Sequence, residues 1–202
     1  MKSCRCSRAE MLMLVAGLGL LGPAGCGSRS GPPIYPPAVP SDAARKAVEL
    51  YDTDKNGFLD AAELEKAPAL RVAFPNASQV TEEDIAARFA SWKENKVGRL
   101  QFTIAVHRNG RPLAGATVTL VPESFLGGEF KAATGKTDRA GTASPSVPLD
   151  GPDDVPGVPP GFYRIEITKA GENIPAKYNT QTILGGEVPQ MDATKWRFDL
   201  QY

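Results

Sequence analysis

The apolar positions along the chain keep two different periods, one after the other. Behind a capping Ser41, the residues Ala44, Ala47, Val48 and Tyr51 recur at i, i+3, i+4 and i+7, which predicts a helix from Asp42 running into Asp52. A second, short helix is expected from near Asp60 to just before Pro68, which cannot continue it. Thr81-Glu82-Glu83-Asp84 resembles a capping box, and Ile85, Phe89 and Trp92 follow at helical spacing, so a third helix is expected to end near Glu94. Beyond Gly98 the period falls from about 3.6 to about 2: Leu100, Phe102, Ile104 and Val106 alternate with Arg99, Gln101, Thr103 and Ala105. Further strands are expected over 116–121, 142–146, 162–168, 178–182 and 195–201, separated by turns such as Asn109-Gly110. Six or seven short strands in about 100 residues suggest an antiparallel β-sandwich, so the fold class expected is multidomain, a helical unit over 41–97 followed by an all-β domain over 98–202.

Ahead of these elements lie basic Lys2, Arg5 and Arg8, an apolar run from Met11 to Leu21, and small Gly22, Ala24 and Gly25 before Cys26. This is the three-part form of a secretory signal peptide over residues 1–25. The apolar run has 11 residues, short of the roughly 20 that a spanning helix needs. Pro23-Ala24-Gly25-Cys26 is similar to the cleavage box of bacterial lipoproteins, although Pro23 stands where such boxes usually hold Leu. The resemblance implies lipidation of Cys26 and attachment to a membrane through that lipid; ordinary cleavage would instead leave Cys26 as a thiol in a periplasmic or secreted chain. Cys4 and Cys6 fall in the removed segment, so no intramolecular disulfide is expected. Residues 26–40 are rich in proline and read as an extended tether, reaching roughly 40 Å at about 3.1 Å per residue.

Residues 52 to 63, Asp-Thr-Asp-Lys-Asn-Gly-Phe-Leu-Asp-Ala-Ala-Glu, match the EF-hand calcium loop. A Ca²⁺ ion takes six to eight oxygens at about 2.3–2.6 Å, which a short loop supplies by folding back on the ion. Asp52, Asp54 and Asn56 would give side-chain oxygens, Phe58 its carbonyl, Asp60 a contact through water, and Glu63 both carboxylate oxygens. Gly57 permits the sharp turn with positive φ. Leu59 faces inward, where paired hands form a short β-bridge. Dockerin loops are similar but generally come in pairs and end on Asp, whereas this one ends on Glu63. A second loop can be registered over 93–104, with Gly98 at position 6 and Leu100 at position 8. Lys93, Val97 and Ile104 there replace ligands, so it would bind no metal and would brace the first hand. The same residues also read as an ordinary helix that ends at Gly98 and leads into a strand.

In the second half, Asn109-Gly110-Arg111-Pro112-Leu113-Ala114-Gly115-Ala116, Thr137-Asp138-Arg139-Ala140-Gly141 and Gly161-Phe162-Tyr163-Arg164-Ile165 occur in an order that resembles the carboxypeptidase regulatory-like, transthyretin-like sandwich. The resemblance implies an accessory or recognition module without catalytic residues. Transthyretin-related hydrolases, the enzyme alternative, depend on several histidines, and this chain has one, His107, read as a surface residue. Ala133-Thr134-Gly135-Lys136-Thr137 echoes a phosphate loop, but Phe130 stands where its first glycine belongs, so a turn is expected. Trp196, Phe198 and Leu200 are read as the core face of the last strand.

Composition narrows the choice of function. Lys and Arg total 23 and Asp and Glu 23, leaving no basic excess to neutralise phosphates, so no nucleic-acid partner is expected. The expectation is a calcium-binding exported protein of the cell envelope, lipid-anchored and not an enzyme, whose β-domain scaffolds or binds an envelope protein or glycan. A calcium-dependent adhesion or docking module is the alternative, and a hydrolase a weaker one.

Overall fold

The computed structural model describes residues 37–151, 154–189 and 195–202. The signal peptide, Cys26 and most of the tether expected from the sequence lie outside the described residues. Helix α1 (Ala43–Tyr51) buries Ala43, Ala44, Ala47 and Val48, the stripe that the periodicity marks. The loop that follows closes on a two-residue strand β1 (Leu59–Asp60) and helix α2 (Ala61–Leu64). The expectation for Pro68 is only that of a helix stop. Pro68 also opens a further helix, α3 (Pro68–Ala73), at the first-turn position where its missing N–H is not needed. Strand β2 (Gln79–Val80) leads into α4 (Glu82–Glu94), whose N-terminus carries the expected Thr81–Asp84 capping box.

Eight strands follow among the described residues: β3 (Thr103–Arg108), β4 (Arg111–Pro112), β5 (Thr117–Pro122), β6 (Ala133–Lys136), β7 (Thr142–Ala143), β8 (Gly161–Thr168), β9 (Gly185–Val188) and β10 (Lys195–Leu200). One sheet runs β10-β3-β4 with β7 also on β3, and the other runs β6-β5-β8-β9. The second sheet is antiparallel throughout, but β10 lies parallel to β3, with Trp196 opposite Ile104 and Phe198 opposite Val106. That pairing departs from the antiparallel expectation. β3 and β10 are the first and last strands of this region, so no hairpin dictates their direction.

Three local readings also change. Residues 133–136 form a strand paired with β5 rather than a turn, and Gly135 is needed there because a Cβ would sit 2.9 Å from the Pro145 nitrogen. The strand expected over 178–182 is a 3-10 turn at Ala176–Tyr178 and irregular chain, and the pairing with β8 is made instead by β9. The ladder over 99–106 begins at Thr103, while Leu100 makes a single bridge to Val158.

The two sheets share one apolar core that includes Ile104, Val118, Leu120, Tyr163, Ile165, Trp196 and Leu200. A second core lies on the outer face of the β6-β5-β8-β9 sheet, where the helices supply Ala47, Leu59, Leu70, Ile85 and Trp92 and the β region supplies Phe125, Leu126, Phe130 and Phe162. Successive strand residues point to opposite faces. Thus Tyr163 enters the inter-sheet core and its neighbour Phe162 the helical one. Phe162 stacks at 5.1 Å from Trp92, 5.8 Å from Phe89 and 6.1 Å from Phe125. The helices therefore cover a sheet face, and the described residues belong to one compact unit.

Candidate metal centre

The loop between α1 and α2 is shaped by its own side chains. Lys55 and Gly57 take positive φ of 61° and 89°, turning the chain back on itself. The Asp52 carboxylate accepts N–H groups from Asn56 at 3.2 Å and Gly57 at 2.9 Å, and Asp54 accepts the Asn56 N–H at 3.1 Å. Glu63, only 5 % exposed, reaches back from α2 and accepts the amides of Thr53, Asp54 and Asp60. The result brings one carboxylate oxygen each of Asp52, Asp54 and Glu63 within 4.8 Å of one another.

Among the described residues no Lys or Arg forms an ion pair with these three carboxylates. Two unit negative charges 4.8 Å apart repel by about 1 kcal/mol in water and about 3.5 kcal/mol at an effective dielectric constant near 20. The loop amides offset part of this. Desolvation pushes the Asp52 carboxyl up, but the hydrogen bonds from Gly57, Lys55, Asn56 and Asp54 together hold it below the usual carboxylate value. Three convergent hard oxygen donors with no basic partner fit a metal ion.

The other residues singled out in the sequence take different places. Asn56 touches the group by donating its side-chain amide to Asp54 at 3.0 Å, while its own oxygen accepts the Phe58 N–H at 3.1 Å. Asp60 stands outside the three-carboxylate group, because its Oδ1 caps α2 by accepting the amides of Ala62 at 2.8 Å and Glu63 at 2.9 Å. Phe58 is half-buried at the end of the loop.

Leu59 does make a β-bridge, but its partner is Val80, not Leu100. With Leu59 and Val80 taken as counterparts, the helix–loop–helix segments α1–α2 and α3–α4 correspond in sequence, and the Asp60–Glu63 capping box has its equivalent in Thr81–Asp84. In the second segment Ala73, Pro75 and Ala77 occupy the places of Asp52, Asp54 and Asn56, so it carries no ligands there. Of the two readings of 93–104, the ordinary one fits: α4 ends at Glu94, short of Gly98, with Asn95 as its C-cap, and the chain passes into the sheet. The repeated capping box is the signal in the sequence that marks the segment bridging Leu59.

His107 is half-buried on β3 rather than on the surface, with its Nδ1 shielded and without a hydrogen-bond partner among the described residues. Trp196 and Leu200 do face the core. No described helix is long and apolar enough to cross a membrane.

No family model, curated protein or solved structure matches the chain.

Proposed function

We propose that the chain binds one calcium ion through an EF-hand-like loop and presents a β-sandwich as a scaffold or recognition surface in the cell envelope. The observation that carries the metal reading is the convergence of Asp52, Asp54 and Glu63 within 4.8 Å on a loop whose sequence has the calcium spacing. Calcium suits this donor set because all the donors are oxygens and the ion accepts a large, irregular coordination sphere. The pairing of Leu59 with Val80 supports the reading further, since a second segment that lacks counterparts of Asp52, Asp54 and Asn56 would brace the first as in paired hands.

Export and a lipid on Cys26 rest on the N-terminal pattern of residues 1–26. Two sheets over one core, with the Pro-Leu-Ala-Gly-Ala turn and the Gly-Phe-Tyr-Arg-Ile strand in order, support a transthyretin-like module. A non-enzymatic role accords with a lone His107 that has no histidine neighbour. Outside the cytosol such a site would bind at about 10⁻⁴–10⁻³ M. At millimolar calcium that stabilises the fold by about 0.4–1.4 kcal/mol, which suits a constitutive structural ion.

Calorimetric titration of Ca²⁺ into the full chain is expected to show one saturable site that Glu63→Gln abolishes. Absence of binding at several-millimolar calcium refutes the metal reading.

A further inference from the structure

Residue Tyr51 ends α1 and directly precedes Asp52, the first carboxylate of the metal loop. Its hydroxyl donates to Glu123 Oε2 at 2.9 Å, across a sequence separation of 72 residues. Glu123 sits between β5 and the 3-10 turn Ser124–Leu126, and its backbone is fixed on both sides. Its N–H donates to the Phe162 carbonyl at 2.9 Å, and its own carbonyl accepts the Leu126 N–H at 3.0 Å. The carboxylate is 2 % exposed, its Oε1 has no hydrogen-bond partner among the described residues, and Arg164 Nε stands 3.8 Å from Oε2.

A buried carboxylate with one oxygen unmatched is costly, and an apolar residue of the same shape would serve packing better. What the carboxylate does here is hold a phenol, and the phenol is one residue from the ion site. From these contacts we infer that Glu123 is a positioning residue for the metal loop: through the Tyr51 hydroxyl it pins the end of α1 to the β-sheet, so that Asp52 stands in its ligating place before the ion arrives. The inference rests on the metal reading above. The loop is then clamped at both ends, by Tyr51–Glu123 where the chain enters and by Leu59–Val80 where it leaves. Preorganisation of this kind raises affinity by removing the ordering cost of binding. Burial first of all pushes the Glu123 carboxyl up, against the pull of Tyr51 and Arg164. Either protonation state offers the phenol an acceptor.

The test is calcium affinity, by calorimetry on the full chain, for the wild type, Tyr51→Phe, Glu123→Met, the double variant and Glu123→Gln. A net hydrogen bond of this type corresponds to about a threefold to tenfold change in dissociation constant. Tyr51→Phe and Glu123→Met are each expected to weaken calcium by that factor, the double variant to weaken it no further, and Glu123→Gln, which retains an acceptor, to stay near wild type. Losses that multiply in the double variant overturn the inference. So does wild-type affinity in Tyr51→Phe and Glu123→Met, even where urea unfolding in chelator shows both to be less stable, because the bond would then serve the fold alone. Absence of calcium binding in the wild type refutes the metal reading itself, and this inference with it.

Discussion

Glu187 gives the sharpest test of how the helices are held to the sheet. It lies on β9 at 1 % exposure, accepts the indole N–H of Trp92 at 2.9 Å, and has Arg88 Nη1 at 3.8 Å from its Oε2. Both partners come from α4, and Ser91 and Asn95 of the same stretch line the small cleft beside it with Pro189. Burial pushes the carboxyl up to about 7 from an ordinary 4.5, and the Arg88 charge and the Trp92 bond recover only part of that cost. Between those two values the folded chain holds a proton that the unfolded chain has released. The contribution of Glu187 to stability is therefore complete below about pH 4.5 and is lost as the pH rises through about 7. At 1.36 kcal/mol per pH unit the loss across that window amounts to about 3 kcal/mol. Glu187→Gln keeps an acceptor for Trp92 and cannot ionise. Urea unfolding of wild type and variant, in excess chelator and at steps from about pH 4.5 to about pH 7.5, isolates the effect as a difference. The wild type is expected to lose about 3 kcal/mol relative to the variant as the pH rises. A difference that is flat with pH, or that grows in favour of the wild type, refutes the reasoning: the Arg88 pair would then outweigh desolvation.

Two further outcomes test the shared core. Phe162→Ala removes the ring on which Phe89, Trp92 and Phe125 pack, and is expected to cost about 3–5 kcal/mol. Trp92 lies in the helical core and Trp196 in the inter-sheet core, so fluorescence in Trp92→Phe and Trp196→Phe backgrounds should show both cores unfolding at one lowered urea midpoint. Gly185→Ala would place a Cβ 2.3 Å from the Ala69 nitrogen and 2.4 Å from the Pro68 carbonyl carbon, where α3 lies against β9. It is expected to destabilise by about 1–3 kcal/mol. Gly128→Ala, with no atom within 4 Å of its Cβ, should leave the midpoint nearly unchanged.

The candidate site was legible in the sequence because its chemistry is local. Asp52, Asp54, Gly57 and Glu63 lie within one turn of chain, and each residue type at its spacing answers to what an ion or a tight turn requires. Helices α1 and α4 were legible for a similar reason, since an apolar stripe and a capping box are written within a few neighbouring residues. What the sequence did not reveal depends on residues far apart. β9 reads Gly-Gly-Glu-Val, with little strand propensity, and it becomes a strand because β8 supplies its hydrogen bonds while α3 and Trp196 close over glycines that leave them room. The parallel pairing of β3 with β10, the choice of Val80 over Leu100 as partner for Leu59, and the burial of Phe162 under the helices were decided the same way. The two buried carboxylates make the point most sharply. Nothing adjacent to Glu123 or Glu187 in the chain distinguishes them from solvated acids; their partners Tyr51 and Trp92 are 72 and 95 residues away. Local composition determined the loop's chemistry, and long-range packing determined what holds that loop in place.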